Sequence, residues 1–150
     1  MKYRLICILI VWCVLSGFTW ASDPNYPDID VSRFVRNYDA DTITVDIDGW
    51  PEIIGKNISI RVNGIDTPEI RGGTEYSKAL AKRAKQFVQC TMENANIIIL
   101  KNPQRGKYFR IVADVEIDGV NLGKLLIKLG YAKPYDGTTA KPDWSKPDVE

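Results

Sequence analysis

Ile58, Ile60 and Val62 alternate with Ser59 and Arg61. That period of two predicts a strand over 57–62 with one buried face. Ile43, Val45 and Ile47 alternate in the same way with Thr42, Thr44 and Asp46 and predict a strand over 42–47. Residues 31–38 read as a further strand, joined to it by Asp39-Ala40-Asp41, and Asp48-Gly49-Trp50-Pro51 reads as a turn. After Gly72-Gly73 the period becomes helical. Thr74 suits an N-cap, and Glu75 lies at the end of the helix dipole that favours negative charge. Tyr76, Leu80, Ala84, Phe87 and Val88 recur at helical spacing, which predicts a helix to about Asn94 with these residues facing the core. Lys78, Lys82, Arg83 and Lys85 fall on its solvated face. Strands follow over 97–100 and 110–117, separated by a loop at 102–106, and Asp118-Gly119 closes the second of them. A last helix over about 121–129 places Leu122, Leu125, Leu126 and Leu129 on one face, with Gly130 as its C-terminal stop.

Five strands with a helix between the third and fourth predict an α+β domain, mainly β, built as a five-stranded OB-fold barrel with two or three helices. The domain would cover 31–135, with a loose lead-in over 22–30. A tail over 136–150, rich in Lys, Pro, Asp and Thr, reads as flexible. Lys2 and Arg4 precede an unbroken apolar run from Leu5 to Leu15, and Thr19-Trp20-Ala21 suits a cleavage site. This pattern predicts a signal peptide over 1–21, because a membrane span needs about 20 apolar residues. The expected product is secreted or periplasmic and monomeric, with no stable protein partner implied.

Removal of that segment takes away Lys2 and Arg4 and moves the formal charge from +1 to −1. It also leaves Cys90 as the one cysteine, so no intramolecular disulfide can form. The 150 residues contain no histidine. A Ser-His-Asp or Cys-His mechanism is therefore excluded, and one cysteine cannot hold zinc. Any hydrolytic chemistry must draw on carboxylates, hydroxyls, arginines and a hard metal ion.

Such groups gather in three places. Arg61-Val62-Asn63-Gly64-Ile65-Asp66-Thr67-Pro68-Glu69 carries an arginine, two carboxylates and a hydroxyl around one turn. Pro68 biases Thr67 away from the α region, so 66–69 should be extended and irregular, a shape that can aim several oxygens at one cation. Asp39-Ala40-Asp41-Thr42 holds two more carboxylates. Lys107-Tyr108-Phe109-Arg110 puts an arginine at a strand entrance beside a lysine and a tyrosine.

These segments resemble, in order and spacing, the Asp-Gly-Asp-Thr, Arg-x-x-x-x-Asp-Thr-Pro-Glu and Lys-Tyr-x-Arg motifs of the micrococcal nuclease (thermonuclease) family, whose fold is an OB barrel. The resemblance runs from about Val31 to Tyr135. It implies that Asp41 and Asp66 ligate Ca²⁺ through side-chain oxygens and Thr67 through its backbone carbonyl. It implies that Glu69 holds or activates the attacking water, and that Arg61 and Arg110 grip the scissile phosphate. Lys107 and Tyr108 match positions that contact a neighbouring phosphate of a DNA or RNA substrate. Two residues depart from the pattern. Ala40 replaces a glycine, which would strain the backbone if that position required positive φ. Gly106 stands in place of an aspartate that could restrain the neighbouring arginine.

The assignment has a physical basis of its own. A cation and two arginines would neutralise a phosphodiester and favour its more highly charged transition state. Two readings stand at this point: a secreted Ca²⁺-dependent nuclease leaving 3′-phosphate ends, and a non-catalytic OB-fold module that binds nucleic acid. The mature charge is low for a protein that grips long polyanions, so a local positive patch would have to capture the substrate.

Overall fold

The computed structural model describes residues 26–146. The signal segment, the first part of the lead-in and the last four residues of the tail lie outside the described residues. The strands are β1 (Ile29–Asp30), β2 (Arg33–Asn37), β3 (Thr42–Asp46), β4 (Ile58–Val62), β5 (Ile65–Asp66), β6 (Ile98–Arg105), β7 (Ile111–Ile117), β8 (Val120–Asn121) and β9 (Lys133–Pro134). The helices are α1 (Glu52–Gly55), α2 (Glu75–Glu93) and α3 (Leu122–Lys128). One curled sheet runs β1-β6-β7-β4-β3-β2, with β8 paired to β7, and β5 pairs with β9 in a second, two-stranded sheet. β4 and β7 are parallel; the other pairs are antiparallel. This is an OB-fold-like α+β domain, as the alternating strand pattern predicts.

The core follows the period-two positions. Ile43, Val45, Ile60, Val62, Leu100 and Val115 are fully buried, and Ala84 and Val88 of α2 pack with Leu122 and Leu126 of α3 against them. Each such aliphatic residue contributes about 1.5–3 kcal/mol when buried. Helix α2 begins as expected, with Thr74 Oγ1 accepting from the Ser77 N–H at 3.2 Å. Gly130 sits at φ +71 just past α3, where a residue without Cβ lets the chain reverse and the Tyr131 N–H reach the Leu126 carbonyl at 2.9 Å.

Several local expectations need correction. Tyr76 and Leu129 are exposed, because each lies at the outer margin of its helix's apolar face. The expected loop at 102–106 continues β6 to Arg105. Asn102 adopts φ +49 and the β6–β7 register shifts between Lys101 and Gln104. An irregularity of this kind breaks the alternation that a sequence pattern relies on. Helix α1 is a single turn after Trp50-Pro51, too short to carry a period.

Candidate functional site

Strand register brings the three chemical segments together. Thr42 pairs with Arg61 across β3–β4, and Arg61 pairs with Val112 across the parallel β4–β7 ladder. Arg110 lies two residues before Val112, so period two puts Arg61 and Arg110 on the same face of the sheet. Asp41 immediately precedes β3, and its carbonyl accepts the Val62 N–H at 2.9 Å. β5 follows β4 after the Asn63-Gly64 turn, and its pairing with β9 sets Asp66 opposite Lys133.

Asp41 is the hub. Its Oδ2 accepts from the Thr67 N–H at 3.1 Å and from Thr67 Oγ1 at 2.9 Å. Its Oδ1 accepts from Thr42 Oγ1 at 3.0 Å and pairs with the Arg61 guanidinium. Arg61 Nη2 donates to the Ile65 carbonyl at 2.9 Å and lies 3.7 Å from Asp66 Oδ1. The guanidinium is thus clamped between two buried aspartates and the loop backbone. Burial, reinforced by the Arg110 charge, lowers its affinity for a proton, while Asp39 and Asp66 oppose that shift. Arginine stays charged through such a shift because its ordinary pKa is so high. Glu69 projects from the same loop with its side chain largely exposed.

Asp39 joins this group, although the motif reading gave its role to Asp41. Its Oδ1 is buried without a hydrogen-bond partner, and burial raises the carboxyl pKa against the opposing pull of Arg61. The Asp-x-Asp spacing was the signal for it, since both carboxylates of such a tight turn can face one point. Ala40 between them is buried and has no positive φ, so the strain that an alanine would bring to a left-handed position does not arise.

Arg110 stands immediately before β7 and its Nε is buried without a partner. Lys107 and Tyr108 lie in the β6–β7 turn just before it, both exposed, Tyr108 by 94%. Gly106 precedes that turn for a packing reason. A Cβ there would stand 2.9 Å from both the Arg110 carbonyl oxygen and Val112 Cγ2.

The segment 136–146 contributes contacts that its composition does not reveal. Trp144 Nε1 donates to Asp66 Oδ2 at 2.9 Å. Lys141 Nζ lies 2.8 Å from Glu69 Oε1 and 3.7 Å from Asp66 Oδ1. Lys133 donates to the Asp143 carbonyl at 2.9 Å and stacks over the Trp144 ring at 4.8 Å. Two side-chain turns shape the path. Asp136 accepts from the Thr138 and Thr139 N–H groups, which hold its carboxyl well below the usual carboxylate range, and Asp143 accepts from the Ser145 N–H. The strap therefore lays an ammonium and an indole N–H against the acidic loop.

The donor set suits a hard divalent cation. It consists wholly of oxygens, chiefly carboxylates, and one buried carboxylate oxygen lacks a partner. Among the described residues, however, no three acidic side chains converge as a ligand cage. Arg61 and Lys141 pair with these carboxylates.

A family model described as "Staphylococcal nuclease homologue" matches residues 59–148, from within β4 through the Asp66 loop and Arg110 to the strap. The chain belongs to that family. Membership is consistent with a nuclease or nucleic-acid-binding role for this OB-fold-like domain. The chain is also similar to an uncharacterized protein of Methanocaldococcus jannaschii, 29% identical over 128 residues. The match covers 69% of this chain and 58% of the archaeal one.

Proposed function

We propose that the protein is a secreted or periplasmic, Ca²⁺-dependent nuclease that hydrolyses phosphodiester bonds of DNA and RNA as a monomer. The observation that carries this reading is the clamp on Arg61. Asp41 and Asp66 hold its guanidinium on the face it shares with Arg110, and Glu69 stands on the same loop. A clamped Arg61 guanidinium and the Arg110 guanidinium on one face suit a phosphodiester, since a planar guanidinium can bind phosphate oxygens in pairs. The orphaned Arg110 Nε supplies a donor that a phosphate oxygen would satisfy.

Asp41, Asp66 and the Thr67 carbonyl are the residues that would hold Ca²⁺, with Asp39 beside them. When bound, the cation supplies charge neutralisation of the phosphate and a lowered pKa for a water. Glu69, with no histidine in the chain, is the carboxylate that would accept a proton from the attacking water or orient it. The negative charge that grows on the phosphate in the transition state falls to Arg110 and to Arg61, which its clamp holds before the reaction begins. Product ends would carry a 3′-phosphate, as the family resemblance implies.

One observation favours the second reading, a nucleic-acid-binding module without turnover. Lys141 occupies Glu69, the residue the reaction needs as a base. Digestion of plasmid DNA separates the two. Cleavage with Ca²⁺ that stops on chelation supports the enzyme. No cleavage with Ca²⁺, Mg²⁺ or Mn²⁺ would sink it and leave the binding module.

A further inference from the structure

Nothing in the proposed reaction calls on the strap over 136–146, yet its side chains take up the acids that the reaction needs. Trp144 Nε1 donates to Asp66 Oδ2 at 2.9 Å, and Arg61 Nη2 lies 3.7 Å from Asp66 Oδ1. Both oxygens of that buried carboxylate therefore face donors of the chain itself. Lys141 Nζ lies 2.8 Å from Glu69 Oε1 and 3.7 Å from Asp66 Oδ1. A cation arriving at this loop meets ligands that are already engaged.

The strap is lightly held. Its anchor is Lys133, whose ammonium donates to the Asp143 carbonyl at 2.9 Å and sits 4.8 Å from the centre of the Trp144 ring. Among the described residues, the buried core ends at Ala132, and no residue of the strap is buried. A surface segment joined to the domain by polar contacts, with no core residue of its own, opens far more easily than the whole fold. The acids it covers belong to the barrel and stay in place when it leaves.

We propose that the strap is an autoinhibitory latch: Lys141 and Trp144 hold Glu69 and Asp66 in place of a divalent cation, and binding of the cation releases the strap. The ammonium offsets the negative charge of the loop, and the indole N–H satisfies a buried carboxylate oxygen that would otherwise lack a partner. Strap and cation draw on the same oxygens, so each weakens the other, and by the same factor. The inference rests on the Ca²⁺ site proposed above and goes beyond it by assigning the strap a closed and an open position.

The test is limited digestion of the mature chain with chymotrypsin, read by mass spectrometry. Chymotrypsin cuts after aromatic residues. A cut after Trp144 removes 145–150 and requires the ring to be withdrawn from Lys133 and Asp66. Saturating Ca²⁺ should speed that cut about fivefold or more over chelator at matched ionic strength, relative to a reference peptide in the same tube. Cuts within the barrel should stay slow. Trp144→Phe keeps a ring for Lys133 and for the protease but removes the donor to Asp66. In chelator it should be cut several-fold faster than the natural chain. By reciprocity it should also bind Ca²⁺ about two- to fivefold more tightly in calorimetry, with its unfolding temperature nearly unmoved. Ca²⁺ binding with no change in the cut after Trp144, or unchanged Ca²⁺ affinity in Trp144→Phe, overturns the latch and leaves the Ca²⁺ site standing. No Ca²⁺ binding by the natural chain or by a Lys141→Gln, Trp144→Phe double variant overturns the Ca²⁺ reading and the latch with it. Binding by the double variant alone supports a latch that closes the site completely.

Discussion

Lys141 places a positive charge where the proposed cation would act, so its removal should tighten cation binding. Its ammonium is 2.8 Å from Glu69 and 3.7 Å from Asp66, and its side chain is 58% exposed. An exposed ion pair of this kind contributes about 0–1 kcal/mol, because water screens it and two long side chains lose freedom. Asp66 is buried, which moves the estimate toward the upper end. A cation that must displace about 1 kcal/mol of such pairing binds about fivefold more weakly than it would to the freed acids. Lys141→Ala should therefore lower the Ca²⁺ dissociation constant about three- to tenfold in isothermal titration calorimetry at low ionic strength. The gain should shrink as salt rises toward about 0.5 M, since the displaced pair is largely exposed. Unchanged or weaker Ca²⁺ affinity in Lys141→Ala would refute the reasoning. No Ca²⁺ binding by either protein would remove the cation from the mechanism altogether.

Glu69→Gln should lower turnover about 10²–10³-fold with little change in unfolding temperature, since its side chain is exposed; near wild-type turnover would take the proton-handling role from Glu69. Arg61→Ala should abolish measurable cleavage and also destabilise the fold by about 2–3 kcal/mol in urea denaturation, because it strips Asp41 of its charge partner in a buried setting; unaltered stability would show that the clamp is energetically idle. Gly106→Asp, which restores the family's residue, should cost about 1–3 kcal/mol, because its Cβ meets backbone and Val112 at 2.9 Å; a stable variant would mean the turn yields. The Asn57 N–H, followed by Arg33, holds the Asp46 carboxyl below its usual pKa. A carboxylate with a depressed folded pKa adds stability above its unfolded value, near 4, and loses it as pH falls through the folded value. The unfolding midpoint of the natural chain should thus drop more steeply below about pH 4 than that of Asp46→Asn; parallel profiles would refute this.

The fold was legible where one period ruled a segment. Ile58-Ser59-Ile60-Arg61-Val62 and, past its exposed Tyr76, the helix from Thr74 behave as their spacing predicts, because each buries one face against a single neighbouring layer. Legibility failed where tertiary geometry overrode the period, as in the bulge at Asn102 and the single turn of α1. The site divided along the same line. Arg61, Asp66, Thr67 and Glu69 are close in sequence, so one loop brings them together. Asp41 and Arg110 arrive through strand register, and ordered motifs were enough to pair them with that loop.

Lys141 and Trp144 lie more than seventy residues from their carboxylate partners, in a segment whose composition reads as solvent-loving. Composition reports only that such a segment cannot form a core of its own; it is silent on docking to an acidic loop already built elsewhere. A lone lysine and a lone tryptophan have no period to betray them. The strap covers the acids of the arginine-lined face. Loss of Lys141 should therefore tighten cation binding, and, because it removes a positive charge beside the arginines, it should weaken the binding of a polyanionic strand in chelator. A variant that gained strand affinity as well would show that the strap shields the arginines and not only the acids.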